Sequence, residues 1–201
     1  EFEDEPFYER DYEKEDRKPF EKKEICLMKE EYEFVEPILS LPFDLEDYYP
    51  GSWGIVPFCA DLIHSKTVHN AFDFELRKEA KVYAAADGVI VSTSYNDEEG
   101  AGEIMNVEGD GYSLDYSGLL NIKLDVGDSM KKGDYVADVY QTPYGEYHVH
   151  LGISIGDGSE CPLKYMDDEF REAFEEMFRK ADYSSQTSAD CACECEFIES
   201  R

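Results

Sequence analysis

The chain has 201 residues, of which 42% are hydrophobic, so it can bury the core of one ordinary domain with extensions. Its formal net charge of −29 repels nucleic acid and anionic membrane surfaces, and neither is expected as a partner. No apolar run approaches the roughly 18 residues that a transmembrane helix needs, so membrane insertion is not expected either.

Composition divides the first 63 residues into two parts. Residues 1–32 mix dense charge with scattered aromatic side chains and show no period, which predicts a flexible acidic extension. Residues 33–63 are rich in proline and aromatic residues, which predicts an ordered but irregular lead-in. Trp53 in this lead-in could line a substrate groove or pack in the core. The chain begins at Glu1 rather than Met, and we expect a secreted or cell-envelope protein whose signal peptide has been removed.

The middle of the chain consists of short alternating segments separated by Gly and Asp turns. Residues 81–94 predict two strands about a turn at Asp87-Gly88, and residues 102–119 predict a hairpin that turns at the sequence EGDG. Residues 121–141 contain the turns VGD and KKGD, followed by a strand. Strands and turns at this density predict a mainly β fold, a compact antiparallel sandwich or barrel.

The residues of these turns have alternative interpretations. Lys131 in SMKKGD resembles the modified lysine of biotinyl and lipoyl carriers, but a solvated turn lysine is favoured because no separate hairpin displays the lysine motif. Asp125, Asp128 and Asp134 could indicate calcium. Because the EF-hand spacing is absent, turn formation is the favoured role for these aspartates.

The stretch EYHVHLGISI, residues 146–155, alternates regularly and predicts a strand with two different faces. One face is apolar throughout. On the other face His148 and His150 stand beside small residues, which leaves room above the sheet for a metal ion or a substrate. A solvated outer face is the alternative for an isolated H-x-H pair, because short motifs often match by chance.

Residues 167–183 change to a helical period, which predicts an amphipathic helix packed on the sheet. Its apolar face is formed by Phe170, Phe174, Met177 and Phe178. Asp167 or Asp168 is available as the N-cap.

Six cysteines make an even number, compatible with disulfides in an exported protein. They are Cys26, Cys59, Cys161, Cys191, Cys193 and Cys195. The last three form the sequence CACEC in the tail, residues 184–201. Disulfides or a mobile tail are favoured there over a metal site, because the C-x-x-C spacing of structural zinc sites is absent.

A second motif lies upstream of the two histidines, in the sequence HNAFDF. It places His69 and Asp73 four positions apart. A catalytic zinc ion takes histidine nitrogen and carboxylate oxygen, usually from three protein ligands with a water in the fourth position. His69, Asp73 and one histidine of the H-x-H pair would complete such a set.

These motifs, taken in order, resemble the lysostaphin-type, LytM-like zinc endopeptidases over about residues 64–166. The order is H-x-x-x-D, VYAAADGVIV, a hairpin ending in Y-x-x-L, VGDSMKKGDYV and HVHLGIS. The resemblance implies one zinc ion per chain, held by His69, Asp73 and His150, with His148 as an unligated catalytic histidine. It also implies that a zinc-activated water hydrolyses peptide bonds in peptidoglycan stem peptides or cross-bridges.

The chain departs from that family at one position. The family has a further histidine in the sequence Y-x-H-L, and the matching residue here is Gly118. Glycine can neither donate a proton nor stabilise an oxyanion, and removing one such donor typically costs about a hundred- to a thousandfold in rate. Tyr116, Asp115 and His64 are candidate substitutes. The alternative function is a zinc-binding, weakly active or inactive module that binds peptides or regulates.

Overall fold

The structure is a computed structural model that describes residues 38–51, 54–58, 69–96 and 101–180. The predictions for the acidic extension and the tail lie outside the described residues, as do those for Trp53 and His64. Cys161 is the one cysteine within them, and its side chain is buried. The disulfide pattern therefore stays a prediction. No helix in the part of the chain that the structure describes is long and apolar enough to cross a bilayer.

Ten strands form an antiparallel sheet, which confirms the mainly β fold class. They are β1 (Ile55–Val56), β2 (Phe72–Glu75), β3 (Lys81–Tyr83), β4 (Gly88–Asn96), β5 (Gly102–Glu108), β6 (Ser113–Leu120), β7 (Ser129–Met130), β8 (Tyr135–Val139), β9 (His148–Ile155) and β10 (Gly158–Glu160). The order across the sheet is β1-β2-β9-β6-β5-β4-β7, with β10 beside β9 and β8 paired with both β3 and β6. The predicted hairpin over residues 102–119 is the β5–β6 pair.

Strand β9 lies between β2 and β6, and its two faces differ as the alternation predicts. Val149, Leu151 and Ile153 are completely buried on the core face. On the other face the register places Asp73 of β2 and Ser117 of β6 opposite His150. The two neighbouring strands thus bring polar side chains to the histidines from both sides.

The helix α1 (Asp168–Lys180) packs behind β2. Phe174 lies 4.7 Å from Phe72 between ring centroids, and Phe74 contacts the same helix. Asp167 is the N-cap, because its Oδ1 accepts a hydrogen bond of 2.9 Å from the Phe170 N–H. The alternation of β2 directs its phenylalanines towards α1 and Asp73 towards the opposite face. Packing of the helix therefore positions the strand that carries Asp73.

The two turns of residues 121–141 share one hydrogen-bond pattern. The Asp128 carboxylate accepts from the Asp125 N–H at 3.0 Å, and the Asp134 carboxylate accepts from the Lys131 N–H at 2.8 Å. The Lys131 ammonium donates to Asp87 at 2.8 Å. These contacts favour turn roles for the carboxylates of Asp128 and Asp134 and for Lys131.

Candidate metal centre

Three side chains converge on the face of the sheet opposite the core. One ligand atom from each of His69, Asp73 and His150 lies within 4.8 Å of the other two. Asp73 Oδ1 is 2.7 Å from His150 Nδ1 and 3.2 Å from His69 Nε2, and the two imidazole nitrogens are 3.3 Å apart. The structure therefore brings together the three residues that the sequence motifs predict as metal ligands.

His69 is held by the backbone of a preceding segment. Its side chain is only 5% exposed, and its Nδ1 lies 3.1 Å from the carbonyl oxygen of Pro57. Because a carbonyl can only accept a hydrogen bond, Nδ1 carries the proton. Nε2 is then the ring nitrogen that faces Asp73 and His150, which is the arrangement that a metal-ligating histidine requires.

His150 has a carboxylate on each of its ring nitrogens. Nδ1 faces Asp73, and Nε2 lies 3.0 Å from Asp115 Oδ2 on β6. The Nε2–H donates to Asp115 because a carboxylate accepts hydrogen bonds. Nδ1 is thereby the atom that His150 presents to the cluster.

The ionisable groups of the cluster shift one another's pKa. Burial opposes ionisation of Asp73, yet His69 and His150 hold its pKa well below its usual range. Burial would lower the pKa of His150, but Asp73 and Asp115 raise it to about 10. The two carboxylates therefore favour a positively charged ring at neutral pH, and their negative charge would also favour a metal cation. Two imidazole nitrogens and one carboxylate oxygen are ligands that zinc accepts.

The stability of the metal-free protein is expected to fall as the pH rises from about 6.5 to about 10. The folded-state pKa of His150, about 10, is above its ordinary value of 6.5, so its contribution is complete below pH 6.5 and is lost as the pH approaches 10. Thermal unfolding of chelator-treated protein across this range measures the effect. The His150→Gln variant, which cannot take up the proton, should show a flatter profile. Parallel profiles for the two proteins would contradict the prediction.

His148 lies two residues from His150 on the same face, opposite Glu75 of β2. Burial lowers the pKa of His148 below its ordinary value, while Asp73 opposes that shift. Its imidazole is therefore neutral at physiological pH. Glu75 is only 4% exposed and accepts a hydrogen bond of 3.0 Å from the Gly54 N–H. Glu75 was not among the residues predicted from the sequence, although the alternation of the sequence FDFE places it on the same face as Asp73.

Tyr116 is not a substitute for the missing histidine, which corrects the prediction from the sequence. It pairs with Leu151 on the core face of β6 and is completely buried. Its hydroxyl accepts a hydrogen bond of 2.9 Å from the Ala85 N–H, away from the histidines. The neighbouring Asp115 lies on the other face and contacts His150 instead.

The backbone at Gly118 is built for glycine. Its φ of +75° is in the left-handed region, and a Cβ added there would lie 2.1 Å from the carbonyl oxygen of His148. Its N–H donates to Ala101 and its carbonyl accepts from Tyr140, both at 2.7 Å. Gly118 is therefore not a histidine position from which the side chain has merely been removed, because the strand approaches β9 too closely for any side chain.

Residues 67–161 match the model of Peptidase family M23. This match confirms the resemblance to the lysostaphin-type peptidases.

Solved structures show the same fold at low sequence identity. Csd3 from Helicobacter pylori is 19% identical with a TM-score of 0.51, and the match covers 72% of this chain and 41% of Csd3. A zinc-containing peptidase from Vibrio cholerae is 21% identical with a TM-score of 0.52, and the match covers 66% of this chain and 41% of that protein. The antimicrobial peptidase lysostaphin from Staphylococcus simulans is 15% identical with a TM-score of 0.51, and the match covers 65% of this chain and 56% of lysostaphin. The chain thus spans about half the length of these proteins or less. A search of curated proteins finds no match.

Proposed function

We propose that this domain is a zinc-dependent metalloendopeptidase that hydrolyses peptide bonds in peptidoglycan stem peptides or cross-bridges, in a secreted or cell-envelope setting. The observation that carries the proposal is the convergence of His69, Asp73 and His150, whose ligand atoms all lie within 4.8 Å of one another. Two imidazole nitrogens and one carboxylate oxygen form a ligand set that is typical of a catalytic zinc site. The match to the model of a peptidase family supports the reaction class.

Each of the three proposed metal-holding residues is positioned by a different part of the fold. His69 is fixed by the Pro57 carbonyl, Asp73 by the packing of β2 on α1, and His150 by its place in the middle of the sheet. When bound, zinc supplies Lewis-acid polarisation of the peptide carbonyl and lowers the pKa of a water to near neutrality. The pre-set orientation of the three side chains limits what must reorganise when the metal binds.

His148 is proposed as the proton carrier of the reaction. Its neutral imidazole can accept a proton from the attacking water and then donate it to the departing amine nitrogen. Its position on the same strand face as His150 places it beside the cluster without making it part of the ligand set. Glu75, directly opposite in the register, faces His148 from β2.

A zinc-binding module with weak or no activity is the second candidate, and the geometry of Gly118 favours it. The family histidine is absent from this position, and the close approach of the His148 carbonyl leaves no space for a side chain. A donor that the site lacks would cost about a hundred- to a thousandfold in rate. Under this candidate the domain would grip a peptide rather than cut it.

Metal content and peptide cleavage together distinguish these functions. Protein purified without chelator or added zinc should carry one zinc ion per chain by mass spectrometry. Hydrolysis of purified peptidoglycan, followed by release of free amines, should stop after chelation and return when zinc is restored. Bound zinc without any hydrolysis would favour the binding module. No bound metal, even after zinc is offered, would contradict both.

A further inference from the structure

Asp115 contacts the ring nitrogen of His150 that does not face Asp73. It lies on β6, and its Oδ2 is 3.0 Å from His150 Nε2. The opposite nitrogen of the same ring, Nδ1, faces Asp73 at 2.7 Å. The Asp115 side chain is 34% exposed and that of His150 18% exposed, so the contact is partly shielded from water.

The sheet makes room for this contact at Gly152. The register places Asp115 directly opposite Gly152, and a Cβ on that glycine would lie 2.3 Å from Asp115 Oδ1. Gly152 does not need glycine for its backbone, since it has no positive φ. The absence of a side chain at Gly152 therefore leaves the space above β9 that the Asp115 carboxylate occupies.

We propose that Asp115 is a positioning residue that fixes the ring orientation and the tautomer of His150. By accepting the Nε2–H, the carboxylate keeps that proton on Nε2 and orients the ring so that Nδ1 faces His69 and Asp73. The inference rests on the proposed zinc site for its consequence, because an oriented Nδ1 matters most to a metal ion. Loss of such an outer partner typically lowers metal affinity about 10- to 100-fold.

Three substitutions distinguish the hydrogen bond of Asp115 from the effect of its charge. Alanine at position 115 removes the acceptor, whereas asparagine keeps an oxygen that can accept the Nε2–H but removes the charge. Asp110 lies in the turn of the same β5–β6 hairpin and is exposed, so Asp110→Asn changes the net charge equally without touching the site. These three variants separate the hydrogen bond from the general electrostatic field.

The test is zinc affinity, measured by competition with a chromophoric chelator, combined with NMR of the imidazole nitrogens. We expect Asp115→Ala to bind zinc about 10- to 100-fold more weakly than the wild type. Asp115→Asn should recover part of that loss, and Asp110→Asn should bind within twofold of the wild type, on the order of the error of such measurements. In zinc-bound wild type the proton of His150 should reside on Nε2, and the absorption bands of the cobalt-substituted protein should change in Asp115→Ala.

Unchanged zinc affinity together with an unchanged His150 tautomer in Asp115→Ala would overturn the inference. If the wild type binds no zinc, the proposed function fails separately, and the NMR of the metal-free protein still decides about Asp115. A slowly exchanging Nε2–H on His150 that is lost in Asp115→Ala supports the positioning role. The same exchange rate in both proteins refutes it.

Discussion

Replacing His148 with alanine is expected to lower the rate of peptide hydrolysis about 10²- to 10⁴-fold while zinc stays bound. The side chain lies beside the cluster and is not one of the three residues whose ligand atoms converge. Because burial keeps its imidazole neutral, it is suited to accept and return a proton. Its removal should therefore affect the chemical step and leave the metal in place.

The matched variant is His150→Ala, two residues further along the same face. It should lose both the zinc ion and hydrolysis, because it removes one of three ligands. Steady-state hydrolysis and metal content are measured on both variants. If His148→Ala also loses the metal, His148 is a ligand and the division of roles is wrong. If it hydrolyses peptide at the wild-type rate, His148 has no part in proton transfer.

Replacing Gly118 with alanine is expected to destabilise the domain by about 3 kcal/mol. A left-handed backbone costs a residue other than glycine about 1–2 kcal/mol. A Cβ only 2.1 Å from the His148 carbonyl oxygen adds overpacking, typically about 1–3 kcal/mol. Against a total stability of about 5–15 kcal/mol for ordinary domains, this is a large fraction. Denaturant unfolding measures the difference.

The control is Gly111→Ala, in the turn of the β5–β6 hairpin. Gly111 has a φ of +81°, close to that of Gly118, but nothing lies within 4 Å of the added Cβ. It should show only the conformational cost, about 1–2 kcal/mol. Equal losses in the two variants would show that the contact with β9 is unimportant. For the same steric reason Gly118→His should be unstable rather than more active.

Local alternation in the sequence predicted much of the fold. The H-x-H strand, the β5–β6 hairpin and the helix follow from periods of two and 3.6, because each element buries one face. The strand begins at His148 rather than at residue 146, because a turn over residues 143–145 and an isolated bridge between Gln141 and Tyr147 precede it. Pairing order across the sheet is a tertiary property, and the alternation of single strands does not specify it.

The candidate site shows the same limit. Residue types and spacing indicated His69, Asp73 and one histidine of the H-x-H pair as ligands, and the family resemblance implied that this histidine is His150. The contact of Asp115 with His150 depends instead on the register between β6 and β9. The alternation along β6 does indicate which residues share a face, since Leu114 and Tyr116 alternate with Asp115. That signal excludes Tyr116 from the site face. The positive φ of Gly118 is not readable from its neighbours, because it results from the approach of another strand.

The central place of β9 also determines when the site can exist during synthesis. His69 precedes His150 by 81 residues, and β9 is the strand against which β2, β6 and β10 pair. A nascent chain that has not yet released β9 can form the β5–β6 hairpin, whose contacts are local, but it has neither the second histidine nor the strand that receives Asp73. Closing so long a loop is entropically costly and slow. Under the proposed function, capture of a metal ion is thereby tied to completion of the sheet, because a chain without β9 lacks His150.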